Sequence, residues 1–273
     1  MSNIGIIGCG IVGHATALGL ARGHKLLTYD KFKSSPNTLQ EIAENCEVIF
    51  LTVPTPMKKS GEIDLSAIYE SVGILDEYCG NSYKENTEKQ IIVIRSTAVS
   101  ETTDKLAEKY KYFDFAFNPE FLTDKNANID FINSKRIIIG ANSDRVFEVL
   151  KKVYEDAQFT CPIIKTDVIT AEYIKYCSNV FLAAQVSVSN ELYEIAQLLK
   201  VNWEEIRKAL NSDDRIGKFT KVPGEDNERG FSGKCFPKDL NALIYLAREH
   251  GYRPDLLEEI WRTNLKFRKN QDW

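Results

Sequence analysis

The chain has 273 residues, 43% hydrophobic and 27% charged, with a net charge of −4. That allows one large domain or two ordinary ones, argues against broad nucleic-acid binding, and leaves no apolar run near the ~20 residues of a membrane span. Six cysteines at 9, 46, 79, 161, 177 and 235 show no metal-ligand or disulfide-framework spacing. With no signal peptide at the N-terminus, free thiols, no bound metal and a cytoplasmic setting are expected. Asn3 to Ile7 reads as a short apolar strand. It runs into Gly8-Cys9-Gly10-Ile11-Val12-Gly13 and then a small-residue helix, Ala15 to Arg22. A GxGxxG run is weak alone, but here it has a strand before it and a helix after it. Gly8 would make the tight turn, Gly10 would admit a pyrophosphate, and Gly13 would let helix and strand pack. Lys25 to Tyr29 is the second strand. Asp30 ends it about 20 residues past the first glycine, where a ribose-binding carboxylate belongs. An acid there favours NAD over NADP, although Lys31 and Lys33 follow, and helix capping is the alternative role for Asp30.

Three further strands are expected at Glu47–Val53, Ile91–Ile94 and Tyr112–Phe117, with helices at Leu65–Tyr78 and Glu101–Tyr110. The near-continuous apolar strands and the alternation of strand and helix predict a Rossmann-like, doubly wound parallel α/β sheet. The strands end in Pro54-Thr55-Pro56, in Arg95-Ser96-Thr97 and in Asn118-Pro119-Glu120-Phe121-Leu122. Ligands bind at that carboxyl edge, but the same residue types also simply make turns. Lys135–Gly140 and Cys161–Ile164 would add strands to the sheet. A long helix, Asp167 to Leu199, then opens a mostly helical second domain, giving boundaries of 1–166 and 167–273. Lys175 and Asn179 share one face of that helix. By itself, Lys175 reads as a solvated helix lysine. A short helix, Asn202–Leu210, and a polar loop follow, and the chain ends in an amphipathic helix from Asp255 to about Lys269 carrying Leu256, Ile260, Trp261, Asn264 and Leu265.

Within that second domain lies Gly230-Phe231-Ser232-Gly233-Lys234-Cys235-Phe236-Pro237-Lys238-Asp239. Pro237 suits the first turn of a helix, so Cys235 is placed just before a helix N-terminus, between two lysines. Both influences lower a thiol pKa. A buried, inert structural cysteine is the competing reading.

This decapeptide resembles the nucleophile motif of the UDP-glucose/GDP-mannose dehydrogenase family, with Ser232 where that family usually has glycine. Val-Pro-Thr-Pro, Ser-Thr, Asn-Pro-Glu-Phe-Leu and Ala-Glu-Tyr-Ile-Lys-Tyr-Cys-Ser-Asn occur in the same order as in the family. The resemblance implies NAD-dependent oxidation of a nucleotide sugar's primary alcohol to a carboxylate, with two NAD consumed. It implies that Cys235 is the nucleophile, that Lys175 and Asn179 hold the oxygen at the reacting carbon, and that Glu120 activates water. Asp239 would orient a water or Lys175. Pro54, Thr55 and Thr97 would line the cofactor and reaction site beside Gly8, Gly10, Ile11, Val12, Gly13, Asp30 and Lys31. Phe121, Leu122, Phe231 and Gly233 would border the sugar, and Arg215 would reach it across a homodimer interface built on the long helix. The alternative for Arg215 is a surface pair with Asp213 or Asp214. The sequence departs from the family at Val99 and Glu101 after the Ser-Thr motif, at Thr123-Asp124-Lys125 after Asn-Pro-Glu-Phe-Leu, and in a short second-to-third strand connection. Family members carry a third, nucleotide-holding domain beyond this point, which a separate chain would have to supply. A binding module without catalysis and a simple hydroxy-acid dehydrogenase are the competing functions.

Overall fold

The computed structural model describes residues 2–80, 88–99, 101–271 and 273. By compactness it forms two units, one of residues up to Pro56 with Asp64–Lys175, the other Met57–Ile63 with Tyr176–Trp273.

The first unit contains β1 (Asn3–Ile7), α1 (Ile11–Leu20), β2 (Lys25–Tyr29), α2 (Leu39–Asn45), β3 (Val48–Leu51), α3 (Ser66–Gly80), β4 (Gln90–Ile94) and α4 (Thr102–Lys109). It continues with β5 (Phe113–Phe117), α5 (Ala127–Ile132), β6 (Ile137–Gly140), α6 (Asp144–Asp156), β7 (Ile163–Thr166) and the start of α7 (Val168–Leu199). Among the described residues the sheet has seven strands in the order β2-β1-β3-β4-β5-β6-β7. The order reverses at β1, so the crevice between β1 and β3 is the switch point where such sheets bind ligands. Successive residues of β3 and β4 alternate between two cores, as period-2 strands covered on both faces must. Val48, Phe50, Ile91 and Val93 pack with α1, α5 and α6, through Leu20, Phe131 and Leu150. Ile49, Leu51, Ile92 and Ile94 pack with α2, α3 and α4, through Ile42, Val72 and Leu106.

The sheet is not wholly parallel. β5 meets β6 antiparallel, with Phe117 opposite Gly140, and β7 runs parallel to β6. A parallel neighbour needs a crossover that carries the chain back along the sheet. Between β5 and β6 the only helix is the six-residue α5, about 9 Å long at 1.5 Å per residue, so the chain re-enters from the edge it left.

Three helices lie outside the elements expected from sequence, α2, α5 and α6. The helix after the glycine turn begins at Ile11, four residues earlier than the small-residue run suggests. The second unit is helical, with the remainder of α7, α8 (Trp203–Asn211), α9 (Phe236–Glu249) and α10 (Asp255–Phe267). Its larger core gathers Val180, Ala183, Phe231, Leu240, Ile244 and Ile260. The segment 57–63 closes on itself through a Met57–Ile63 bridge.

Candidate active site

The glycine turn is built as its sequence requires. Gly8 has φ +94°, and a Cβ there would come within 2.7 Å of the Thr52 carbonyl. A Cβ on Gly13 would come within 1.9 Å of the Gly8 carbonyl oxygen. Gly10 is different, with open space where its Cβ would be. It also caps α1, with no side chain bonded to the first-turn N–H groups and no acid in that turn. Those donors and the helix dipole leave a receptor for an anion. A cavity of about 530 Å³ opens there, bordered by Gly10, Ile11, His14, Lys33 and residues 124–129.

Asp30 braces this turn, its carboxylate accepting from the N–H groups of Cys9 (2.7 Å) and Phe32 (2.9 Å). Burial pushes its carboxyl up, but those N–H donors and the Lys33 ammonium outweigh burial and hold it below the ordinary range. Of the two following lysines, Lys31 pairs with Glu70 at 2.6 Å. Lys33 donates to the Cys9 carbonyl at 2.6 Å and lines the cavity. The lysine on the turn is therefore Lys33, a residue that sequence spacing alone does not separate from Lys31. Val12 supplies the carbonyl that accepts from the buried Thr16 hydroxyl (2.8 Å).

The ends of β3 and β4 meet at the same sheet edge. Pro54 is exposed, Thr55 buried and Thr97 half-buried, and the Ser96 hydroxyl donates to the Val53 carbonyl at 2.7 Å. Beyond β5, Glu120 is buried and receives Lys175, whose Nζ is 2.6 Å from its carboxylate and 2.7 Å from its carbonyl. The other carboxylate oxygen accepts from Leu122 N–H at 2.7 Å. Burial drives the Glu120 carboxyl upward, but the Lys175 charge and hydrogen bond, Leu122 N–H and Arg95 hold it below the usual range. It is an anion at neutral pH. Lys175 is thus no solvated helix lysine. The Phe121 ring lies between the Lys175 ammonium (5.7 Å) and the Arg136 guanidinium (4.6 Å). A second cavity, about 410 Å³, runs past Arg95, Glu120, Phe121, Leu122 and Arg136.

One turn before Lys175, Glu172 is fully buried and accepts from both the N–H (2.9 Å) and the hydroxyl (2.6 Å) of Thr103. It caps α4 from another helix, since the side chain of the α4 cap residue, Glu101, makes no bond to the helix's first N–H groups and pairs with Lys105 instead. Among the described residues the second carboxylate oxygen of Glu172 has no hydrogen-bond partner. Burial raises its pKa to about 7.

In the second unit, Cys235 is itself the cap of α9, which begins at Phe236 with Pro237 in its first turn. Gly233 adopts φ +76° in open space, a conformation natural to glycine. Lys238 donates to the Asp239 carboxylate at 2.6 Å, so its charge is largely spent on that acid. Asp239 is fully buried; its other oxygen accepts from the Asn179 amide, and its own N–H donates to the Cys235 carbonyl at 2.8 Å. Phe231 follows Gly230, which has φ +74°. Its ring is buried against Phe236 and Trp261 as a core residue. Arg215 is exposed and forks onto Asp213.

Residues 28–158 match the NAD binding domain of the UDP-glucose/GDP-mannose dehydrogenase family, and residues 169–266 match its central domain. The chain belongs to the UDP-glucose/GDP-mannose dehydrogenase family. The family's cofactor is NAD, and the open Gly10, the uncapped α1 N-terminus and the ionised Asp30 fit its pyrophosphate and ribose. The chain is 34% identical to a UDP-glucose 6-dehydrogenase of Rickettsia felis over 230 residues, which is 81% of this chain and 48% of the relative. It is 32% identical to the UDP-glucose 6-dehydrogenase TuaD of Bacillus subtilis over 234 residues, 85% and 49% of the two chains. It thus spans about half the length of these curated relatives. Among solved structures, a UDP-glucose dehydrogenase from Pyrobaculum islandicum superposes with a TM-score of 0.85 at 26% identity, over 97% of this chain and 68% of that one.

Proposed function

We propose that the chain is the catalytic core of an NAD-dependent nucleotide-sugar 6-dehydrogenase, oxidising the primary alcohol of a UDP-glucose-like sugar to the uronate. The observation that carries this is the buried Lys175–Glu120 pair, in which a carboxylate kept ionised sits beside an ammonium at the sheet's carboxyl edge. Its relatives bear the name of the same activity. NAD, when bound, supplies the electron acceptor for two successive two-electron oxidations. The protein's own tasks lie around the reacting carbon. Lys175 and Asn179 donate to its oxygen, stabilising the oxyanion that develops there. Cys235 adds to the aldehyde-level carbon as a thiohemiacetal and carries the acyl group as a thioester, splitting one hard oxidation into two easier steps and retaining the aldehyde. Glu120 takes a proton from the water that hydrolyses the thioester, and the carboxylate leaves as Cys235 regains its thiol. Asp239, through Asn179, orients the donor amide. Thr97 borders the cofactor and the sugar.

The reading includes a homodimer built on α7, where Phe181, Leu198 and Leu199 are 72%, 80% and 67% exposed, with Arg215 reaching the partner's sugar. The test is NADH release with UDP-glucose, counted per sugar. Two NADH per sugar for the wild type, with loss of the second for Cys235→Ser and unchanged NAD affinity, is the expected result. Two NADH per sugar from Cys235→Ser at the wild-type rate would reject the thioester route. Turnover that appears only when a second polypeptide is added would assign the nucleotide-holding part to that partner.

A further inference from the structure

The loop that leads to Cys235 is held by an amide on a different helix. Asn264, on α10, is 1% exposed. Its side-chain oxygen accepts from the Phe231 N–H at 2.7 Å, and its amide nitrogen donates to the Phe231 carbonyl at 3.0 Å. One carboxamide thus satisfies both polar groups of a single buried residue, as a strand neighbour would. Beside it, Gly230 has φ +74°, and its N–H donates to the side-chain oxygen of Asn190 on α7 at 3.1 Å. Asn190 is fixed in turn by its own bond to the Val186 carbonyl at 2.8 Å. A Cβ on Gly230 would come within 2.5 Å of the Asn264 oxygen, so the loop and this amide approach too closely for any other residue at 230. The Phe231 ring closes the arrangement by packing on Phe236, the residue after Cys235, and on Trp261 of α10.

We propose that Asn264 is a positioning residue for Cys235: its two-pronged hold on the Phe231 backbone fixes where α9 begins and thereby where the thiol points. This rests on the reading of Cys235 as the nucleophile, but the geometry is independent of any substrate. From Phe231 the chain has only Ser232, Gly233 and Lys234 before Cys235. The Phe231 ring packs on Phe236, so the anchor reaches the start of α9 through the ring as well as along this short run of chain. With the Phe231 anchor loosened, its ring shifts against Phe236 and carries the cap of α9 with it. A buried amide polar on both arms is also a costly thing to keep in an otherwise apolar helix face unless both arms are matched.

The test reads the thiol directly. Alkylation of Cys235 by iodoacetamide is followed by mass spectrometry from pH 6 to 9, with the other five cysteines as internal references. Asn264→Ala is expected to change the Cys235 rate by about tenfold, equivalent to about 1.4 kcal/mol, and to displace its pH profile. Asn264→Asp keeps the acceptor for Phe231 N–H and loses the amide donor, so it should fall between wild type and alanine. Asn190→Ala should move the profile in the same direction by less. Trp203→Leu disturbs the separate small core of Ala196, Trp203 and Val222 and should lower stability while leaving the Cys235 profile in place. A folded Asn264→Ala or Asn264→Asp protein with the wild-type Cys235 profile would overturn the proposal, as would an equal change from Trp203→Leu. Turnover with UDP-glucose separates the two readings. A displaced alkylation profile in a protein that oxidises no nucleotide sugar keeps the clamp and removes the function. A kcat lowered in Asn264→Ala at unchanged KM, with the displaced profile, supports both.

Discussion

Glu172 should make the stability of the first unit depend on pH in an unusual direction. Most buried acids that matter for folding are held ionised, and their contribution disappears on acidification. Glu172 is the reverse, because burial raises its pKa from 4.5 to about 7. Between those two values the folded protein binds a proton that the unfolded chain does not, so stability falls as pH rises through the window and levels off above it. The full span is 2.5 pH units, or about 3 kcal/mol at 1.36 kcal/mol per unit. Glu172→Gln keeps the oxygen that accepts from Thr103 and cannot titrate. Its absolute stability reflects a new amide where the unpartnered oxygen lies, which costs on the order of 1–3 kcal/mol. The change of the stability difference with pH cancels that constant. Urea titrations at pH 4.5, 6, 7 and 8, at fixed ionic strength and monitored on the sheet-containing unit, should show the variant gaining about 3 kcal/mol on wild type as pH rises. A difference that stays flat across those four values would refute the argument, because it would mean that Glu172 has the same proton affinity folded and unfolded.

Gly10→Ala should leave the melting temperature unchanged, since its Cβ meets open space, and should weaken NAD binding by about tenfold or more because the methyl occupies the approach of the pyrophosphate. Gly13→Ala should instead lose folded protein, its Cβ lying 1.9 Å from the Gly8 carbonyl. Circular dichroism and NAD titration separate the two. Lys175→Ala leaves Glu120 buried without its main cation and should cost about 3–5 kcal/mol, whereas Lys175→Met combined with Glu120→Gln should recover most of that in denaturant titrations. NADP binding more tightly than NAD would remove Asp30 from the ribose. Light scattering at micromolar concentration should give twice the 31.1 kDa chain mass.

Much of this was legible where a residue has one physical reason for being in place. Gly8 and Gly13 are forced by φ and by close approach, and the all-apolar strands by a sheet covered on both faces. The capping box of α2, Thr38 with Glu41, was also legible, because its Ser/Thr-x-x-Glu spacing marks a helix start, but the strand-and-glycine reading passes over it. Other features depend on partners distant in sequence. Whether Lys31 or Lys33 would face the turn is decided by Glu70, 39 residues away. Asn264 looks like a polar interruption of an amphipathic face until Phe231 is set against it. Arg95 reads as a turn residue, yet it is buried among Asn118, Tyr154 and Phe131. The β5–β6 reversal has no local signature either, since an antiparallel and a parallel buried strand share the same apolar composition.

That reversal governs how the ammonium of Lys175 is delivered. Gly140 ends β6 opposite Phe117, the last residue of β5, and Thr166 ends β7 beside Gly140, so the chain enters α7 level with the carboxyl end of β5. It starts against Gly140, where a Cβ would touch Ala171 at 2.5 Å. One helical turn later, about 6 Å along the axis, it brings Lys175 to Glu120. Inserting or deleting a single residue between Ala171 and Lys175 would swing the ammonium by about 100° around the helix axis, with composition and core intact. Chain length in this one turn is therefore under tighter constraint than side-chain identity, and a natural variant that lengthens it has to place some other cation beside Glu120.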